Sequence, residues 1–217
     1  LLDYHHKEVD GARDNERAAL DDLNFKAVLP VAGNQALTFK GSYYSEESQV
    51  SYTGLTEAEL RNFGYRYNPF SEDVFSLDRT GASLSHELFV NDGVTLVSSA
   101  YFSHFKTQDR RQRNGQSAGD RSGMLVENND RGVDAYSFFV QNRFLLGEVS
   151  VTPGLRVEYI DNRRENRLTG ARGDSDVSEV IPGIGATWNP RPQWTLFAGV
   201  HRGFAPPRTE DLIVTAS

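Results

Sequence analysis

Residues 23–44 read LNFKAVLPVAGNQALTFKGSYY, and this stretch decides the fold class. Apolar side chains, beginning with Leu23 and Phe25, occupy every second position up to a short turn at 31–35. The alternation resumes after the turn with Leu37. Because successive side chains of a strand point to opposite faces of a sheet, this pattern predicts two β-strands, each with one apolar face. The two strands and their turn form a predicted β-hairpin.

The hairpin pattern repeats along the chain, with short turns near 31–35, 90–93, 146–149 and 189–193. Long polar stretches, including 109–131 and 161–177, join one hairpin to the next. Short turns at one end and long loops at the other are typical of outer-membrane barrels, whereas a soluble sandwich needs Greek-key crossovers. We therefore predict an all-β, antiparallel up-and-down meander of about eight strands, plus a remnant at 1–8, as part of a transmembrane β-barrel. The short turns are expected to face the periplasm.

The composition agrees with a membrane-crossing sheet. The 217 residues carry a net charge of −7, are 38% hydrophobic and have a mean hydropathy of −0.53. Strands that cross hydrocarbon expose apolar residues on one face only, so the mean stays low. No apolar run approaches the ~18 residues of a membrane helix. Lysine and arginine are scattered, which argues against nucleic acid as a partner, and the absence of cysteine excludes a thiolate site.

Period two also assigns the faces of the strands. One apolar set is predicted to point outward to the lipid: Leu23, Phe25, Leu37, Phe39, Tyr136, Phe138, Val140, Leu155, Val157, Leu196 and Val200. A polar set is predicted to point inward: Lys26, Lys40, Gln141, Arg143, Arg156 and Glu158. Aromatic residues near the strand ends are predicted to form interfacial girdles: Tyr43, Phe89, Tyr101, Phe105, Tyr159, Trp188, Trp194 and Phe204.

The sequence contains no pattern that favours catalysis, a cofactor or a protein-bound metal. His5 and His6 are adjacent on a predicted strand, so their side chains point to opposite faces and cannot bind one metal together. The Gly-x-Ser-x-Gly nucleophile elbow is missing. The segment 182–185 has neither the third glycine nor the following helix of a dinucleotide loop. We predict a protein that is not an enzyme and has no cofactor.

Thr56 and Glu59 have the spacing of a helix capping box.

A group of arginines is the candidate ligand-binding site. The members are Arg110, Arg111 and Arg113 at the start of the second long loop, and Arg202 and Arg208 near the end of the last strand. Arginines in loops commonly pair with solvated acids, but guanidinium groups also bind carboxylates through two parallel hydrogen bonds. The hairpin topology predicts that all five lie at the long-loop rim, where they would meet an anionic ligand.

Several segments resemble one family of barrels. They are VIPGIGATWN at 180–189, WTLFAGVHRGFAPPR at 194–208, FFVQN at 138–142 and TPGLRVEY at 152–159, together with the loop segments 54–59, 68–70 and 78–81. These segments are similar to the barrel of TonB-dependent outer-membrane receptors, and within them to the ferric-citrate and siderophore receptor group. The stretch RGFAPP at 202–207 is the most specific.

The resemblance implies a barrel of about 22 strands filled by an N-terminal plug. It also implies uptake of ferric siderophores or ferric citrate, a place in the lipid of the outer membrane of a Gram-negative bacterium, and energy from a TonB complex. The chain shows no plug-like segment, no TonB-contacting box and no terminal strand ending in an aromatic residue. We therefore expect residues 1–217 to be an internal part of the barrel domain, with the plug and the remaining strands absent.

Two other interpretations stay open at this stage. Eight strands suffice to close a small barrel, so the chain could be a self-contained outer-membrane barrel with a structural or adhesive role. It could also be a soluble β-sheet ligand carrier of the lipocalin type. Long loops on one rim favour the receptor, because small closed barrels rarely need them. The identity of the ligand does not follow from the sequence.

Overall fold

A single antiparallel sheet makes up most of the chain. The computed structural model describes residues 1–49, 54–112, 125–206 and 209. Its nine strands are β1 (Leu2–Asp10), β2 (Arg17–Ala32), β3 (Gln35–Ser48), β4 (Val74–Asn91), β5 (Val94–Gln112), β6 (Leu125–Leu146), β7 (Val149–Asn166), β8 (Arg172–Arg191) and β9 (Trp194–His201). Each strand pairs with the next in chain order. The predicted all-β meander is confirmed.

All four predicted short turns are present as two-residue connections. They lie at 33–34, 92–93, 147–148 and 192–193. Gly147 adopts a φ of 64°, a left-handed conformation that glycine reaches without steric cost. At the second turn, the Asn91 side chain accepts a hydrogen bond from the backbone N–H of Gly93 at 2.9 Å. The turn chemistry thus sets the register of each hairpin.

At the opposite end, the predicted loop lengths are partly wrong. The stretch 161–177 is mostly strand, since β7 continues to Asn166 and β8 begins at Arg172, which leaves a connection of five residues. In 109–131, the strands β5 and β6 cover both ends. The physical reason is that these segments are polar on both faces, so the alternation disappears although the pairing continues. A membrane span needs only about 9–11 residues, so strands of 18 to 22 residues extend beyond the bilayer.

The loop between β3 and β4 contains the one helix of the described residues, α1 (Glu57–Phe63). The predicted capping box is present: the Thr56 hydroxyl accepts from the Glu59 backbone N–H at 3.2 Å, and the Glu59 carboxylate accepts from the Thr56 backbone N–H at 2.8 Å. No helix among these residues is long and apolar enough to span a membrane.

Removal of the capping box is expected to loosen this loop. Thr56→Ala deletes an N-cap acceptor and should raise hydrogen exchange at 57–63 by the equivalent of about 1 kcal/mol. Arg61→Ala is the matched control, because it removes only an exposed pair with Glu57 that is worth a few tenths of a kcal/mol, roughly. Equal exchange in the two variants would contradict the role of the cap.

Strand register confirms both predicted faces. Phe39 lies opposite Leu84, Leu84 opposite Ala100, and Ala100 opposite Phe138, so these residues share one face. All eleven predicted lipid-facing residues lie on this outward face, and all six predicted inward residues lie on the other. We call the second, polar face the lumen face.

An aromatic row borders the apolar band on its long-loop side. The rings of Phe102 and Tyr136 are 5.1 Å apart, and those of Tyr136 and Tyr159 are 6.4 Å apart. The predicted girdle members Phe89, Tyr101 and Phe105 are wrong, because register places all three on the lumen face. Between Tyr101 and Phe105 along β5 the outward aromatic residue is Phe102. An aromatic girdle thus borders the band at this end, as in outer-membrane barrels.

The sheet stays open among the described residues. Strands β1 and β9 form its two edges and do not pair with each other. This arrangement does not match a self-contained, closed eight-stranded barrel. It is the arc that part of a larger barrel would form.

Candidate ligand-binding site

The lumen face carries a charged cluster at the long-loop end of β5 and β6. Arg111 holds Asp109 through two parallel hydrogen bonds, Nε to Oδ1 at 2.8 Å and a terminal nitrogen to Oδ2 at 2.9 Å. The Arg111 Nε also lies 3.8 Å from a Glu127 carboxylate oxygen. The Asp109 side chain is only 8% exposed, and these contacts satisfy its carboxylate oxygens.

Two further arginines from neighbouring strands complete the cluster. Arg131 reaches Glu127 at 3.3 Å and Asp109 at 3.8 Å. Arg164 of β7 donates to the Asn129 amide oxygen at 3.3 Å, and Asn129 donates to Glu127 at 2.9 Å. The sheet register brings these side chains together, because Arg131 lies directly opposite Arg164. We call Asp109, Arg111, Glu127, Asn129, Arg131 and Arg164 the lumen cluster.

The lumen cluster is rich in arginine. Its six residues include three guanidinium groups and two carboxylates, although the whole chain is acidic. Guanidinium groups bind carboxylates and similar planar anions in a fixed, two-pronged geometry. The cluster is therefore suited to hold an anionic group at the long-loop end of the lumen face.

Arg110 does not join this cluster. It follows Asp109 on β5 and pairs in register with Asn128, which places it on the outward face, opposite to Arg111. Arg110 and Arg111 therefore lie on opposite sides of the sheet, because consecutive residues of a strand point to opposite faces. Arg113 lies outside the described residues.

Arg202 lies lower on the wall than predicted. It contacts the Glu179 carboxylate at 2.7 Å and the Val180 carbonyl oxygen at 3.1 Å, both in the middle of β8. Strand β9 ends at His201, well short of the long-loop end of β8, so the rim position predicted for Arg202 is wrong. Arg208 lies outside the described residues.

A second set of charges lies on the lumen face near Arg202. Glu158 is buried, with 7% of the residue exposed. Its carboxylate contacts both Arg156 and the Ser137 hydroxyl. Glu158 lies directly opposite Glu179 in the register. Each of these two carboxylates thus has its own arginine, which offsets the repulsion between them.

The outward face is also charged above the aromatic row. Asp134 accepts from His104 Nδ1 at 2.6 Å and from Arg163 at 2.5 Å, while Arg163 also contacts Asp161 at 2.8 Å. The hydrogen bond from Arg163 to Asp161, and the charges of both carboxylates, raise the pKa of Arg163. Because these charged side chains lie on the outward face beyond the aromatic row, this part of the strands extends past the bilayer into water. No group of three or more metal-binding side chains occurs among the described residues.

Sequence reasoning missed Arg131 and Arg164. Both lie in segments whose sequence predicts loops, where side-chain direction has no period. The signal that could have found them is their parity: each stands an even number of residues from a lumen-facing neighbour, Gln141 or Glu158. Extending the period of the membrane strands upward would have placed both arginines beside Arg111.

An apolar face bordered by an aromatic row, backed by a polar face, defines the wall of an outer-membrane β-barrel. Residues 3–216 match the family described as TonB dependent receptor-like, beta-barrel. The chain belongs to this family, whose members are receptors and transporters in the outer membrane of Gram-negative bacteria and not enzymes.

Solved structures with the same fold share little sequence with the chain. The ferric-catecholate import receptor Fiu from E. coli K12 is 11% identical, with a TM-score of 0.65 over 92% of this chain and 39% of its own. The ferric citrate transporter FecA is 15% identical, with a TM-score of 0.50 over 92% and 38%. The copper transporter OprC is 12% identical, with a TM-score of 0.60 over 92% and 32%. The chain thus spans less than two fifths of each, and fold alone does not determine the cargo.

Proposed function

We propose that this chain is part of an outer-membrane receptor that imports ferric chelates, either a ferric siderophore or ferric citrate, with energy from a TonB complex. The observation that carries the proposal is the lumen cluster, which brings three guanidinium groups together on the inner wall of a protein with an acidic sequence. Ferric citrate and many ferric siderophores are anionic, and guanidinium groups bind anions such as carboxylates. Family membership and the ferric receptors among its structural relatives support the same cargo class.

Residues 1–217 are proposed to form part of the barrel domain, with the plug and the other strands contributed by the rest of the receptor. The edges of β1 and β9, which have no partner strand among the described residues, support this, because unsatisfied backbone groups in hydrocarbon cost several kcal/mol each, roughly. Further strands would pair with β1 and β9 and close the barrel.

Within the ligand site, Arg111 is the best placed of the sequence-predicted arginines, and Arg131 and Arg164 join it. Arg202 is a secondary candidate on the lower wall. Arg113 and Arg208 stay predictions, and Arg110 lies on the outward face, away from the lumen cluster.

An uptake assay tests the proposed function. Cells that express the full-length receptor as their one ferric-chelate receptor are given radioactive ferric citrate or a ferric catecholate, with and without TonB. We expect saturable uptake of at least one chelate, and its loss without TonB. Uptake that persists without TonB would contradict energy coupling. Import of copper but of neither ferric chelate would contradict the cargo class.

A further inference from the structure

We propose that Lys26 and Lys40 form a binding site for a carboxylate inside the barrel, at the depth of the membrane. The two lysines lie directly opposite each other on β2 and β3, and both point to the lumen face. Their strand neighbours Phe25 and Phe39 face outward in the apolar band, with ring centroids 5.8 Å apart. The pair therefore lies far below the lumen cluster, at a separate site.

The two ammonium groups have no anionic partner among the described residues. Neither lysine forms an ion pair or a side-chain hydrogen bond there, and both side chains are exposed to the lumen. Two lumen-facing carboxylates lie on the neighbouring stretches of β1 and β2. Asp3 pairs with His5 at 3.1 Å, and Asp22 is four residues away from Lys26 along β2. Like charges directly opposite each other destabilise a sheet, so the arrangement calls for an anion between them.

The wall around the lysines is shaped to admit such a group. A cleft of about 430 Å³ is lined by both lysines and by the lumen-facing side chains of Asn24, Ser42, Ser83, Tyr101 and Ser103. Its floor is Gly81, where even a Cβ would come within 2.8 Å of the Ser42 hydroxyl oxygen. Hydroxyl and amide groups donate hydrogen bonds to a carboxylate, while the lysines supply its counter-charge.

A carboxylate at this site has two sources, and stability measurements separate them. One is an acidic side chain of the protein segment that fills the lumen, and the other is a carboxylate-bearing solute on its way through. Both sources rest on the proposed receptor architecture, the first on its plug and the second on its open path for solutes, but neither rests on the proposed iron cargo. The experiment uses no iron, so a failure of transport and a failure of this site are distinguishable.

The test compares the full-length receptor with two double variants, K26Q/K40Q and K26E/K40E. Repulsion between positions 26 and 40 is equal for two lysines and for two glutamates and is absent for two glutamines. Without an anionic partner, the glutamine variant has the highest Tm. With an anionic partner, we expect the wild type to have the highest Tm, K26Q/K40Q an intermediate Tm and K26E/K40E the lowest. Arg143→Gln removes a lumen-facing charge elsewhere and serves as the control.

Sodium citrate, compared with sodium chloride at equal ionic strength, identifies the source. If citrate raises the Tm of the wild type but not of K26Q/K40Q, a solute occupies the site. If citrate raises the Tm of neither protein, while the Tm still falls from the wild type to K26Q/K40Q and then to K26E/K40E, the carboxylate belongs to the receptor.

Amine labelling of the wild-type receptor keeps the test valid if the variants fail to fold. Lys7 and Lys106, the other two lysines of the chain, are internal references. With an acidic side chain in place, Lys26 and Lys40 react more slowly than the references. With citrate at ten times its Kd, their labelling falls about tenfold instead. Equal reactivity of all four lysines, with and without citrate, would overturn the proposal, as would the highest Tm in K26Q/K40Q.

Discussion

Replacement of both Arg111 and Arg164 by alanine is expected to weaken the binding of ferric citrate, or of the chelate that the uptake assay identifies, by about two to four powers of ten. Each two-pronged contact of a guanidinium group with a carboxylate contributes roughly 1.5–3 kcal/mol. Loss of two such contacts therefore costs about 3–6 kcal/mol, which gives that change in Kd. Titration of the full-length receptor with the chelate measures it, and the wild-type affinity should fall as salt is added.

The chain offers a closely matched control. Arg110 and Arg163 are the immediate neighbours of Arg111 and Arg164, carry the same charge and face outward. The double variant R110A/R163A should bind the chelate with wild-type affinity. Equal losses in the two double variants would show that only the overall charge matters and would contradict a lumen site.

Asp109 loses its closest partner in the first variant, so its folding needs a separate check. R111K/R164K keeps both charges but loses the two-pronged geometry. We expect it to fold like the wild type and still to bind more weakly. Unchanged affinity in this variant would contradict the geometric part of the account.

Val140→Arg is expected to destabilise the full-length receptor by about 2–4 kcal/mol. Val140 lies on the outward face of β6, between Tyr136 in the aromatic row and Leu146 beside the short turn. A charged side chain there must enter the hydrocarbon near the middle of the bilayer, where its desolvation is uncompensated. Unfolding in lipid vesicles by denaturant measures the change.

Gln141→Arg is the matched control for Val140→Arg. Gln141 is the next residue of β6 and faces the polar lumen. The same arginine there should cost far less, because water and polar groups solvate it. If the two variants lost equal stability, the assignment of faces would be wrong.

The strands that cross the membrane were predictable from the sequence, because hydrocarbon imposes a strict alternation of apolar and polar side chains on them. The short turns that join these strands were predictable as well. Leu23 to Leu37 and Tyr136 to Tyr159 show this period, and the turn residues between them fix the register. Above the membrane, water solvates both faces of the sheet. The segments around Arg131 and Arg164 therefore have no period, and their sequence predicts loops where the structure has strands.

The candidate site was only partly predictable for a related reason. The sequence showed that arginines cluster near 110, but which of them share a face depends on whether the strand continues that far. Arg111 and Arg110 separate once β5 reaches Gln112. Arg131 and Arg164 join Arg111 only through pairings between three strands, and those pairings cannot be derived from one strand alone.

The central claim is that one face of this sheet meets lipid and the other lines the lumen. Single cysteines placed at each position from Tyr136 to Phe144 of a full-length, otherwise cysteine-free receptor, and then spin-labelled, test it most directly. We expect high accessibility to oxygen dissolved in the lipid at the even-numbered positions and low accessibility at the odd-numbered ones. A profile without a period of two, or with the opposite phase, would contradict the account.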